Sequence, residues 1–147
     1  MGRSARGVRG VRLRPNDSVV GMDIVANNEG NLLVISEQGF GKVTKAANFP
    51  SHKRGGVGIK AAIVTAKTGP IVAVRSLEAD TAEILLISNK GQATRVGLKD
   101  VPVLGRTTQG VRIMRTAEGD KVSSFGFVPE QAVVEEDEDD AVEVKKA

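Results

Sequence analysis

The sequence predicts an all-β chain assembled from repeated antiparallel units, each of about four short strands. Three observations carry this reading. Seventeen glycines in 147 residues cut the chain into short runs. Those runs are rich in valine and isoleucine, residues that suit a pleated, half-buried surface. The same phrases also recur about every 50 residues. "NLLVISEQG" (31–39) is answered by "EILLISNKG" (83–91), with Ser36 over Ser88 and Gly39 over Gly91 at an offset of 52. Phe49-Pro50 maps onto Val101-Pro102 at the same offset. A second series, "GVRGVRL" from Gly7, "GVGIKAA" from Gly56 and "GVRIMRT" from Gly110, steps by 49 and then 54. Four strands in about 50 residues is the size of one blade of a propeller-like array.

In chain order, strands are expected over residues 19–25, 32–36, 71–76, 84–88 and 121–128, each bounded by turn phrases such as "NNEGN", "EQGFG", "TGP" and "NKGQ". "SEQGFGK" and "SNKGQAT" read as hairpin turns, with Gly39 and Gly91 supplying positive φ. Ser36 and Ser88 stand where each hairpin begins, and a serine hydroxyl there supports the turn. "AIVTAKTG" fits a short helix or a strand. The units are then a blade over 1–52, whose first strands lie upstream, a second blade over 53–103, and a partial or closing blade over 104–130. That is about two and a half blades. Residues 131–147 carry six consecutive acids, Glu135 to Asp140, and no apolar period, so a disordered acidic tail is expected.

The net charge of +3 conceals an asymmetry. Residues 1–130 hold 19 of the 21 basic and 11 of the 18 acidic side chains, a balance of +8, whereas 131–147 hold two lysines against seven acids, a balance of −5. A basic body points to a polyanionic partner and an acidic tail to a solvated or regulatory segment. Several chemistries are excluded. There is no cysteine for a disulfide or a thiolate-bound zinc, and no tyrosine to serve as a nucleophile. The single histidine, His52, rules out a multi-histidine metal site and reads as a solvated loop residue. No nucleophile, base and orienter can be assembled, so neither catalytic nor metal residues are expected. No apolar run approaches the ~20 residues of a membrane span, and the basic N-terminus is not followed by an apolar signal core. A cytoplasmic location follows by default.

The repeated basic phrase carries the functional reading. "GRSARGVRG" and "GRTTQGVRI" share G-R-x-x-x-G-V-R, and "HKRGGVGIK" sets Lys53 and Arg54 before two glycines. Glycine lets the backbone approach a ligand, and backbone N–H groups and guanidinium forks both bind oxyanions. Equivalent loops on successive blades would line one rim and form a continuous basic track. Such a track suits duplex nucleic acid that bends along it. Aromatic platforms for single strands are missing: there is no Tyr or Trp, and Phe40, Phe49, Phe125 and Phe127 lie in apolar runs or beside proline. The candidate phosphate contacts are Arg3, Arg6, Arg9, Lys42, Lys45, Lys53, Arg54, Lys60, Arg95, Arg106 and Arg112. A non-catalytic β-repeat that uses the basic face to contact protein is the competing reading.

"GRSARGVRGVRL", "NLLVISEQGFGKVTK", "RGGVGIK", "ILLISNKGQATR" and "LGRTTQGVRIMR" followed by "EGDKV" closely resemble the C-terminal domain of DNA gyrase A, over residues 1 to about 128. The corresponding domain of topoisomerase IV shares the blade pattern and is the near alternative. The resemblance implies a β-pinwheel, a relative of the propeller that exchanges strands between blades. It implies a DNA-wrapping module that supports negative supercoiling, associated with the nucleoid, without catalysis of its own. It further implies the remainder of gyrase A, together with gyrase B, as partners, with ATP and Mg2+ acting through gyrase B and no cofactor in this chain. The family's glutamine-arginine-glycine box is incomplete here: His52 stands where the glutamine is expected and Val57 where a lysine is expected. Lys53 and Arg54 therefore carry over only as basic contacts.

Overall fold

The computed structural model describes residues 2–25 and 29–129. Among these residues seven strands form: β1 (Asn31–Ser36), β2 (Phe40–Lys45), β3 (Ile71–Ser76), β4 (Thr81–Ser88), β5 (Ala93–Gly97), β6 (Val111–Arg112) and β7 (Val122–Pro129). One single-turn 3-10 segment follows β2 at Ala46–Asn48, and another follows β5 at Leu98–Asp100. The tail expected to be disordered lies outside the described residues.

The strands make two antiparallel sheets, one ordered β3-β1-β2-β6 and the other β5-β4-β7. The internal repeat explains the likeness between them. β1 and β2 pair from Asn31↔Lys45 to Ile35↔Gly41, and β4 and β5 pair from Glu83↔Gly97 to Ile87↔Ala93. β3 then adds to β1 as β7 adds to β4, each with a register break at the serine, Ser36↔Ile71 and Ser88↔Val122. The sheets cut across the sequence repeats. The first takes its strands from residues 31–45, 71–76 and 111–112, so a strand from one stretch completes a sheet begun in another.

Both hairpins form as expected, and for the expected reason. Gly39 and Gly91 sit at φ 75° and 83°. Their N–H groups donate to the Ser36 and Ser88 carbonyls, each at 3.0 Å. The Ser36 and Ser88 hydroxyls accept the N–H of Phe40 (3.2 Å) and Gln92 (3.1 Å). The side chain thus continues the turn by one more hydrogen bond, which gives serine a structural role at both positions.

The core lies between the two sheets. Leu33 and Ile35 of β1, Val43 of β2 and Ala73 of β3 meet Ile84 and Leu86 of β4, joined by Val101, Met114 and Val122. β1 is flanked by strands on both sides and is buried along nearly its whole length, which accounts for its unbroken apolar run.

Three expectations are corrected. Residues 19–25 are not a strand: they run beside the outer edge of β3, where the Asp23 carboxylate, rather than a backbone ladder, takes the Ser76 N–H at 2.6 Å. Val19, Met22 and Ile24 remain exposed there, so their β pattern finds no partner strand among the described residues. "AIVTAKTG" is neither helix nor strand. The Thr65 and Thr68 hydroxyls bond across a local turn, and Gly69, at φ 68°, closes it onto the Thr65 carbonyl at 2.9 Å. The strands that pattern reading missed are β2 and β5, where Lys42, Thr44, Thr94 and Arg95 interrupt the apolar alternation, and the two-residue β6.

Candidate nucleic-acid interface

The three glycine-basic phrases are brought side by side by hydrogen bonds to backbone carbonyls. The first and second meet through a bridge between Val11 and Gly56. There the Arg12 N–H donates to the Gly56 carbonyl (2.8 Å) and the Gly55 N–H to the Gly10 carbonyl (2.7 Å). The second meets the third where the Ile63 N–H donates to the Thr108 carbonyl at 3.0 Å and the Arg106 guanidinium to the Lys60 carbonyl at 2.6 Å. Gly7, Gly55 and Gly110 take φ of 81°, 77° and 82°, a left-handed bend that only glycine adopts without strain. At Gly110 a side chain would also strike Gly41, with its Cβ 2.7 Å from that carbonyl oxygen.

The basic side chains fall into distinct settings along this run. Arg3, Arg6 and Arg9 are exposed on the first loop, and Lys53, Arg54 and Lys60 on the second. Lys45 is exposed at the end of β2. Arg112 on β6 is exposed, with its guanidinium 5.1 Å from the centre of the buried Phe40 ring; the Lys67 ammonium lies 5.6 Å from the same ring. Phe40 is therefore covered by cations rather than open to a base. Phe125 and Phe127 pack edge-to-face on β7 and against the core. Arg95 stands apart on β5, in an ion pair with Glu83.

Lys42 departs from expectation. It is 1% exposed, and its ammonium donates to the carbonyls of Arg106 (2.7 Å), Gly105 and Thr108 (both 3.0 Å), with the Thr108 hydroxyl at 3.2 Å. Three donors thus find four oxygens within the chain, and the side chain has no path to a phosphate. Burial holds its pKa below the usual lysine value, and the nearby Arg106 charge adds to that. β2 is an interior strand whose side chains are buried on both faces, which alternation could not reveal. Conversely, Arg12 and Arg14 line one groove with Lys60 and belong with the candidates. The signal for them was present in the sequence, as a continuation of the first basic phrase past its glycines.

The chain is thus an all-β, propeller-like repeat with its basic glycine loops joined into one run. The family described as DNA gyrase C-terminal domain, beta-propeller, matches residues 1–26, 30–78 and 82–129, and the chain belongs to it. The DNA gyrase A protein of Aminobacterium colombiense (strain DSM 12261 / ALA-1) is 46% identical over 140 residues, which is 95% of this chain and 16% of that protein. Its counterpart from Chlamydia pneumoniae is 42% identical over 126 residues, 85% of this chain and 15% of that protein. The chain therefore spans about one sixth of these relatives. A solved gyrase A C-terminal domain superposes with a TM-score of 0.73 at 29% identity, covering 82% of this chain and 41% of that one. The C-terminal domain of DNA topoisomerase IV superposes with a TM-score of 0.75 at 21% identity, covering 84% and 38%, a likeness of fold. Among the described residues, no helix is long and apolar enough to cross a membrane.

Proposed function

We propose that the chain binds duplex DNA along the joined basic loops and bends it. In this reading it serves as part of gyrase A, in an assembly with gyrase B that supercoils DNA using ATP. One observation supports the reading above the others: the hydrogen-bonded succession of the three glycine-basic phrases, which gathers Arg3, Arg6, Arg9, Arg12, Arg14, Lys53, Arg54 and Lys60 on neighbouring loops with Asp17 as the nearby acid. Glycine-rich basic loops with no exposed aromatic platform favour backbone contact over base stacking. If about six of these groups meet phosphates, log K should fall against log[salt] with a slope of about −5.

The test is duplex binding across a salt series, paired with ligation of nicked plasmid in the presence of the chain. Steep salt dependence together with a shift in linking number supports wrapping. Binding that is absent, or insensitive to salt, refutes it and favours the protein-contact alternative.

A further inference from the structure

The three glycine-basic phrases share one apolar residue. A valine follows the glycine in each: Val8 after Gly7, Val57 after Gly56 and Val111 after Gly110. All three are exposed, by 58%, 61% and 39%. A single exposed valine is ordinary on a folded surface. The same exposed valine among cations on three equivalent loops is a pattern that phosphate contact does not call for. Val57 has the most telling setting, because it lies between two open grooves and lines both. One groove carries Lys53 and Arg54. The other carries Arg12, Arg14 and Lys60, with Asp17 as its acid. Val57 and Gly58 thus form a ridge with cations on either side. The ridge is slender: Gly56 and Gly58 bring no side chain, and Gly58, at φ 75°, has nothing within 4 Å of where a Cβ would stand.

We propose that Val57 enters the minor groove of duplex DNA, with one strand's backbone along each flanking basic groove, and that Val8 and Val111 repeat the contact on the neighbouring loops. The proposal rests on the duplex-binding reading above and adds to it which groove faces the protein and what is read there. A minor groove is a slot about 6 Å wide between two phosphate strands, the complement of a slender ridge between two basic grooves. The major groove, about 12 Å wide, is far too broad for one valine to fill. Valine has no donor or acceptor, so it reads shape rather than hydrogen bonds. On the minor-groove side A·T pairs present only acceptors, whereas guanine adds its 2-amino group. That amino group narrows the slot and would lose hydration against an apolar tip. The contact therefore favours duplex that lacks it.

The experiment is fluorescence anisotropy of the full 147-residue chain with three labelled duplexes of equal length, whose cores alternate T-A, C-G or C-inosine. Inosine is guanosine without the 2-amino group, so the third duplex keeps the hydrogen-bonding groups of C·G in its major groove and resembles A·T in its minor groove. The T-A and C-inosine duplexes should bind alike, and about fivefold more tightly than C-G. Val57→Ala should narrow that difference to about twofold, and the triple variant Val8→Ala, Val57→Ala, Val111→Ala should erase it. The salt slope should not change in either, because no cation is removed. Val57→Ile, still apolar and longer, should keep the preference. Val57 is exposed, so none of its substitutions opens the core. C-inosine binding like C-G overturns the minor-groove assignment. A preference that survives in the triple variant comes from the bending of the duplex itself and overturns the role of the valines. Equal binding of all three duplexes by the unsubstituted chain overturns the proposal and leaves duplex binding standing. Binding of none of them sinks the duplex reading and the proposal together.

Discussion

Gly39 and Gly91 offer a paired test of what holds the repeats together. The two glycines occupy equivalent hairpins at φ 75° and 83°, so an alanine at either position carries the same left-handed backbone cost of about 1–2 kcal/mol. Their surroundings differ. A Cβ on Gly91 meets nothing within 4 Å, whereas a Cβ on Gly39 would lie 2.2 Å from the Met114 carbonyl oxygen. The Gly39 carbonyl also accepts the N–H groups of Ile113 (2.9 Å) and Met114 (3.1 Å), so that contact cannot open without releasing the segment that follows β6. Overpacking of this kind adds about 1–3 kcal/mol. Gly91→Ala should therefore lose about 1–2 kcal/mol and Gly39→Ala about 2–5 kcal/mol. At roughly 3 °C per kcal/mol for a chain of this size, the two melting temperatures separate clearly. Urea unfolding of both variants, with thermal melts alongside, measures the difference. Equal losses, or a larger loss for Gly91→Ala, would refute the argument that the third basic phrase packs on the first hairpin.

Alanine at Arg3, Arg6 or Arg9 should each reduce the salt slope of duplex binding by about 0.9 and leave the unfolding midpoint unchanged; titration at several salt concentrations reads the first and a urea curve the second. Arg95→Ala should change stability by less than about 1 kcal/mol, because its ion pair with Glu83 is solvent-exposed, and a urea curve decides it. The Asp120 carboxyl is held below its usual pKa by the Ser88 hydroxyl first, against burial, and then by the Lys121 and Lys90 N–H groups. A carboxyl with a lowered folded pKa stabilises above its unfolded value and loses that contribution as pH falls through the folded one. The gap in urea midpoint between the chain and Asp120→Asn should therefore be open at pH 6–7 and close below about pH 4. Deleting residues 131–147 should tighten duplex binding, since seven acids would no longer compete for the basic loops; unchanged or weaker affinity counts against that role.

Much of the architecture is written locally. The hairpins at Ser36 to Gly39 and Ser88 to Gly91 are decided by residues within four positions of each other, a hydroxyl and a left-handed glycine. The repeat at an offset of 52 then implies that one hairpin predicts the other. β1, β3 and β4 announced themselves because runs of valine, isoleucine and leucine have few alternatives to a buried strand, and β7 through its alternating phenylalanines and valines. By itself the sequence also settled the basic body, the acidic tail and the absence of a nucleophilic tyrosine, because these follow from composition.

What tertiary structure alone decided is where each charge goes. Lys42 and Lys45 stand three residues apart on one strand and so on opposite faces, but the sequence does not say what covers either face. One ends beneath the 105–108 turn with four oxygens around it, and the other in solvent, because β6 and the turn before it cross β2 at one end only. The 19–25 segment has a strand's pattern and makes no ladder, since pairing requires a partner edge as well as a propensity. The joining of the basic phrases likewise depends on contacts between residues some 46 positions apart, such as Arg106 to Lys60. Local chemistry specified the turns and the strands; long-range packing determined which of the repeated cations face outward and which one became part of the core.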